Sequence, residues 1–155
     1  MTGCFHIDAD TPTGTCAVVV VDKNRTLCAN LAAACKYDSK HMEENIDKVK
    51  NASLIYSTSF FITSNKEALK TLARTAHECG IPFAFNLSAV FLMQIELPTV
   101  LEVLEYADYV FANEDEADAF AKTQNIEGAN RVEIAKALAN FKKQNPDRPR
   151  VAIVT

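Results

Sequence analysis

Residues 53–87 read SLIYSTSFFITSNKEALKTLARTAHECGIPFAFNL. The run from Leu54 to Phe61 is mostly apolar and predicts a buried strand. Ser64 and Glu67 have the spacing of a capping box, in which the serine hydroxyl accepts from the Glu67 N–H and the glutamate reaches back. Ala68, Leu69, Leu72, Ala73, Ala76 and Cys79 then recur on one helical face. Gly80 predicts the helix end, because glycine tolerates the left-handed conformation found there, and Pro82 follows. Phe83 to Leu87 is the next strand. Strand, helix, strand over 35 residues is the unit of a parallel sheet.

The same alternation continues downstream. Pro98 starts a helix carrying Val100, Leu101, Val103 and Leu104, and residues 109–111 form a strand. Asn113 opens a helix, and Asn130 with Glu133 caps another. Val151 to Val154 is the fourth strand. Upstream the texture differs. Thr15 to Val21 and Thr26 to Leu31 predict a β-hairpin turning at residues 22–25. Its first strand is apolar at nearly every residue, which predicts cover on both faces. Residues 1–31 therefore read as part of a small β domain or lid, and residues 32–155 as part of a large α/β domain.

Composition narrows the function. The chain has 155 residues, 48% hydrophobic and 23% charged, which fits a folded domain and excludes a disordered one. Sixteen basic against twenty acidic residues give a charge of −4, with no basic stripe for nucleic acid. No apolar run approaches the ~20 residues of a membrane span. Asp8 and Asp10 stand where a signal peptide would be apolar. Five cysteines without C-x-x-C spacing predict free thiols and a cytoplasmic location, rather than a disulfide framework or zinc. Glycines stand only at 3, 14, 80 and 128, so neither a Walker loop nor a dinucleotide fingerprint is present. His6, His41 and His77 have no ligand spacing, and His77 suits a helix C-terminus.

Four places carry candidate chemistry. Asn113-Glu114-Asp115-Glu116 is first of all a helix cap; its functional alternative is that Glu116 orders metal-bound water near phosphates. Pro12-Thr13-Gly14-Thr15 is a turn, or a place where backbone approaches a ligand. Arg25 at the hairpin tip is a solvated charge, or a guanidinium fork for transferring phosphates. Phe60, Phe61 and Phe91 are core residues, or a stacking platform for a base.

Five segments together resemble the ribokinase-like carbohydrate and nucleoside kinase family, in its adenosine-phosphorylating branch. They are Pro-Thr-Gly-Thr-Cys-Ala at 12–17, Leu-Cys-Ala-Asn-Leu-Ala-Ala-Ala at 27–34, Ser-Phe-Phe-Ile-Thr at 59–63, Asn-Leu-Ser-Ala-Val-Phe at 86–91 and Asn-Glu-Asp-Glu-Ala at 113–117. The resemblance implies part of a three-layer α/β/α fold with a mainly parallel sheet, the hairpin belonging to the lid. It implies ATP-dependent phosphorylation of the adenosine 5′-hydroxyl, giving AMP and ADP, with Mg²⁺. It implies that Cys16, Leu27, Ala29, Phe60 and Phe91 line the nucleoside pocket, with Phe60 stacked on the purine. Arg25 is then the lid arginine near the phosphates, and Asn113 and Glu116 act on Mg²⁺ indirectly, through water.

Val90 replaces the proline usual at its place in the family. The substrate-ribose Asn and Asp of the family's N-terminal segment, and its Gly-Ala-Gly-Asp motif with the catalytic aspartate, have no counterpart in the 155 residues. The expectation is therefore a chain inactive alone, with uncovered apolar faces that self-associate or partly disorder near residues 1–30, whereas longer relatives are monomers. Two alternatives stand beside this reading: a non-catalytic nucleoside-binding or interaction module, and a kinase for another nucleoside or sugar.

Overall fold

The computed structural model describes residues 3–126 and 128–155. A hairpin opens the fold, formed by β1 (Thr15–Val21) and β2 (Asn24–Asn30). Its turn is tighter than expected: Val21 pairs with Asn24, so only Asp22 and Lys23 reverse the chain, with Asp22 in the left-handed region. A 3₁₀ turn (Ala32–Lys36), α1 (Ser39–Glu44) and α2 (Ile46–Lys50) lead into the alternating part. This comprises β3 (Ile55–Thr58), α3 (Phe61–Glu78), β4 (Phe83–Asn86), α4 (Val90–Ile95), α5 (Leu97–Leu104), β5 (Tyr109–Ala112), α6 (Glu114–Thr123), α7 (Arg131–Asn140) and β6 (Val151–Val154).

The four-stranded sheet is parallel throughout, in the order β3-β4-β5-β6. Strand order equals chain order, so right-handed crossovers put every connecting helix on one face. That face holds the core. Ile55, Phe83, Phe85, Val110 and Ala112 belong to it, and Ala152 and Val154 pack against it. Phe83 and Phe85 stack with ring centroids 6.1 Å apart. Burying each such ring contributes ~1.5–3 kcal/mol.

The predicted helix boundaries hold where the cap is local. Asn113 accepts from the Glu116 N–H at 2.8 Å and Asn130 from the Glu133 N–H at 3.1 Å, both as capping boxes. Gly80 ends α3 with φ +66°. The cap expected at Ser64 sits one residue later, at a kink inside α3 that divides it into two helical segments. Asn65 leaves helical geometry and accepts from the Ala68 N–H at 2.9 Å. Its amide also donates to the Tyr37 carbonyl at 3.1 Å and the Ser39 hydroxyl at 3.0 Å. Those long-range partners, invisible to a local pattern, select asparagine over serine as the cap.

Three further expectations change. The strand expected over residues 54–61 stops at Thr58, and α3 begins at Phe61. Cys79 is exposed rather than on the buried face. The hairpin is not covered: every residue of β1 and β2 is exposed, Val20 at 67%. Its strands pack mainly on each other, and apolar content reports what a strand can bury rather than what covers it.

Gly14 closes the hairpin base. A Cβ there would lie 2.7 Å from the Leu31 carbonyl oxygen and 3.0 Å from that of Asn30. The close approach is thus to the chain's own backbone. Gly14→Ala is expected to push β1 away from residues 30–31 at a cost of ~1–3 kcal/mol. Amide exchange across residues 15–30 should rise; unchanged exchange would show that the Leu31 backbone yields freely.

Candidate functional site

In parallel α/β sheets the loops at the carboxyl ends of the strands gather chemistry. Here those ends are tied together. The Ser59 N–H donates to the Asn86 carbonyl at 2.9 Å, Leu87 N–H to Phe111 at 2.9 Å and Thr155 N–H to Ala112 at 3.0 Å. The Ser59 hydroxyl is buried and donates to the Leu87 carbonyl, joining the loop after β3 to the loop after β4. Asn86 Oδ1 accepts from the Ser88 N–H at 2.8 Å, which folds that loop into a tight turn with Ser88 in the left-handed region. Ser59 and Ser88 stand in two of the segments that carry the resemblance, without an expected role of their own; serines at consecutive strand ends are the signal for one.

On this platform stand two of the expected site residues. Phe60 follows β3 and Phe91 lies in the first turn of α4. Their centroids are 5.9 Å apart with planes at 61°. Both rings remain open, at 46% and 43% exposure. An exposed edge-on aromatic pair offers a flat apolar object one face to stack on and one edge to abut. Phe61 points elsewhere: it contacts Tyr37 edge-on at 5.1 Å and lines a separate cavity of about 540 Å³ with Phe5, His6, Gly14, Ala33 and Tyr37. Neither Phe60 nor Phe91 lines that cavity.

Asn113 and Glu116 follow β5. Glu116 is buried at 5% exposure. Its Oε2 accepts from the Asn113 backbone N–H at 3.0 Å and its Oε1 from the Asn113 amide at 2.8 Å. Each carboxylate oxygen therefore keeps one further acceptor site. Among the described residues no group of three or more His, Cys, Asp or Glu is arranged to hold a metal. The donor set suits a hydrated Mg²⁺ held through water, since that ion keeps several waters and takes one or two carboxylates. It does not make a direct protein cage.

Arg25, Leu27, Ala29 and Cys16 lie on the hairpin. The ladder pairs Cys16 with Ala29, Val18 with Leu27 and Val20 with Arg25. Directly paired residues and i, i+2 residues share a face. All four expected residues therefore project from the same side of the hairpin, with Val18 and Val20 between them. No hydrogen bond or ring contact among the described residues joins this set to Phe60 or Phe91. All five cysteines are free and exposed. No helix among the described residues is long and apolar enough to cross a membrane.

Residues 2–155 match the model of the pfkB family carbohydrate kinases. An adenosine kinase of Schizosaccharomyces pombe is 40% identical over 155 residues, covering 97% of this chain and 46% of that relative. An adenosine kinase of Dictyostelium discoideum is 34% identical over 153 residues, covering 97% and 45%. The crystal structure of Anopheles gambiae adenosine kinase in complex with P1,P4-di(adenosine-5) tetraphosphate superposes with a TM-score of 0.88 at 39% identity, covering 96% of this chain and 44% of that one. The apo structure of Trypanosoma brucei brucei adenosine kinase gives 0.88 at 30% identity, covering 98% and 47%. The chain thus spans just under half the length of these relatives.

Proposed function

The chain belongs to the pfkB family of carbohydrate kinases, and from that premise we propose that it forms the nucleoside-facing part of an ATP:adenosine 5′-phosphotransferase. The reaction is transfer of the γ-phosphoryl group of ATP to the adenosine 5′-hydroxyl, giving AMP and ADP, in purine salvage in the cytoplasm. Residues 1–31 serve as part of the lid and residues 32–155 as part of the kinase body. The observation that carries this reading is the open Phe60–Phe91 pair at the carboxyl ends of adjacent strands. A purine stacks on Phe60, and Phe91 closes the pocket beside it. Cys16, Leu27 and Ala29 cover the nucleoside from the shared hairpin face. Arg25, two positions before Leu27 on that face, reaches the phosphates with its planar fork. Glu116, oriented by Asn113, would hold a hydrated Mg²⁺ through its water, and that ion would supply charge neutralisation at the phosphate oxygens.

The test is calorimetric titration of adenosine into the 155-residue chain. Base–aromatic stacking is worth ~1–3 kcal/mol, so Phe60→Ala is expected to weaken adenosine binding by roughly 5- to 150-fold. Arg25→Ala should leave adenosine affinity unchanged. Equal binding of ribose and adenosine, or an unaltered affinity in Phe60→Ala, would remove the purine from this site and favour another sugar.

A further inference from the structure

The Phe60 ring is 46% exposed, so packing holds only part of it, and the backbone beneath decides where the open part faces. That backbone is a separate piece of α3. Asn65, at φ −162° and ψ 97°, is extended inside the helix. An extended residue interrupts the i→i−4 ladder, so the single turn at residues 61–64 does not inherit its direction from the longer segment that follows. Other contacts must aim it.

Two anchors do so. Upstream, the buried Ser59 donates its N–H to the Asn86 carbonyl at 2.9 Å and its hydroxyl to the Leu87 carbonyl. The turn closes on it, with Ile62 N–H on the Ser59 carbonyl at 2.9 Å. The Phe60 carbonyl then accepts twice from Thr63, from its N–H at 3.0 Å and its hydroxyl at 2.7 Å. Downstream, the Asn65 amide donates to the Tyr37 carbonyl at 3.1 Å and the Ser39 hydroxyl at 3.0 Å. Phe61 lies edge-on against Tyr37 at 5.1 Å on the same side. Thr63, which grips Phe60, stands two residues before Asn65.

Capping does not by itself require this residue. Oδ1 of Asn65 accepts from the Ala68 N–H at 2.9 Å, and aspartate caps a helix as well as asparagine does. Of the two, only asparagine carries an NH₂ beside the capping oxygen, and the Tyr37 carbonyl, an acceptor alone, needs that donor. We infer that Asn65 is a positioning residue for the nucleoside: its amide, acting through Thr63 and the Phe60 backbone, sets the tilt of the Phe60 ring. This rests on the assignment of Phe60 to the purine. A base gains from stacking only where it lies along the ring, so a turn released from Tyr37 and Ser39 loses overlap without losing the ring.

A double-mutant cycle on adenosine affinity, measured by calorimetry with the 155-residue chain, tests this. Asn65→Asp keeps the capping oxygen and removes the donor. It is expected to weaken adenosine binding roughly 3- to 30-fold, a share of the roughly 5- to 150-fold expected for Phe60→Ala. In the Phe60→Ala background it should weaken binding no further. A purely structural role would lower affinity equally in both backgrounds, and that result overturns the inference. Parent-like affinity in Asn65→Asp overturns it as well. Circular dichroism checks that each variant is folded. If Asn65→Asp does not fold, Ser39→Ala takes its place in the cycle, because it removes one acceptor and leaves the cap; the same non-additivity, at smaller amplitude, is expected, and additivity overturns. A parent chain that does not bind adenosine, or binds it unchanged in Phe60→Ala alone, overturns the underlying assignment and this inference with it, and shows before Asn65 is touched.

Discussion

Supplied with ATP, Mg²⁺ and adenosine, the 155-residue chain is expected to form no measurable AMP. Phosphoryl transfer depends on positioning and on electrostatic stabilisation of the transferring group. The family resemblance assigns the base and the anion hole to a Gly-Ala-Gly-Asp motif, and glycines at 3, 14, 80 and 128 cannot form one. Loss of a general base costs roughly 10²–10⁴ in rate. Loss of an anion hole costs a further ~10²–10³. The N-terminus of α6 does not substitute, because Asn113 and Glu116 already cap it, and Glu114 and Asp115 repel a phosphate there. Adenosine binding should survive, because stacking on Phe60 needs no catalytic group. A sensitive assay for AMP that detects turnover, and finds it abolished by Glu116→Ala, would place the chemistry inside this chain after all.

The parts of the fold readable from sequence are those whose causes are local. The Asn113 and Asn130 caps, the Gly80 stop and the alternation of four strands with helices each depend on residues within a few positions. What escaped reading depends on distant partners. The shift of the α3 cap to Asn65 needs Tyr37 and Ser39, 28 and 26 residues away. Helix α4 was not anticipated, because Val90-Phe91-Leu92-Met93 suits a strand as well as a helix. The site divides the same way. The Asn113–Glu116 hydrogen bonds follow from spacing alone. That Phe60 and Phe91 meet across 31 residues follows from the parallel pairing of β3 with β4, which periodicity suggests but does not measure. The common face of Cys16, Leu27, Ala29 and Arg25 required the hairpin register, fixed by the two-residue turn.

Arg150 immediately precedes β6, and its substitution is expected to have the largest effect on stability. It is buried, at 6% exposure. Its guanidinium has five N–H donors, and all five find backbone carbonyls. Nε donates to Ala107 at 3.0 Å, one terminal nitrogen to Leu138 at 2.9 Å and Phe141 at 2.7 Å, the other to Leu104 at 2.7 Å and Lys142 at 3.1 Å. Leu104 ends α5 and Leu138 lies in the last turn of α7, so one cation satisfies the carboxyl ends of two helices and ties both to β6. Burial pushes its pKa down to about 10, against the opposing pull of Asp108 and Glu105, and it remains charged at neutral pH.

Arg150→Met keeps much of the side-chain volume but leaves five carbonyls without this partner. A loss of about 3–5 kcal/mol is expected, a large share of the stability of a domain this size. That corresponds to a fall in Tm of about 6–20 °C. Arg150→Lys has only three donors and no planar fork, so it should restore part of the loss and not all of it. Denaturant titration of the two variants beside the parent decides the matter. Equal stability of Lys and Met variants would mean that hydrogen bonding to the helix ends contributes nothing. A Met variant within about 1 kcal/mol of the parent would mean that the carbonyls find other partners without cost.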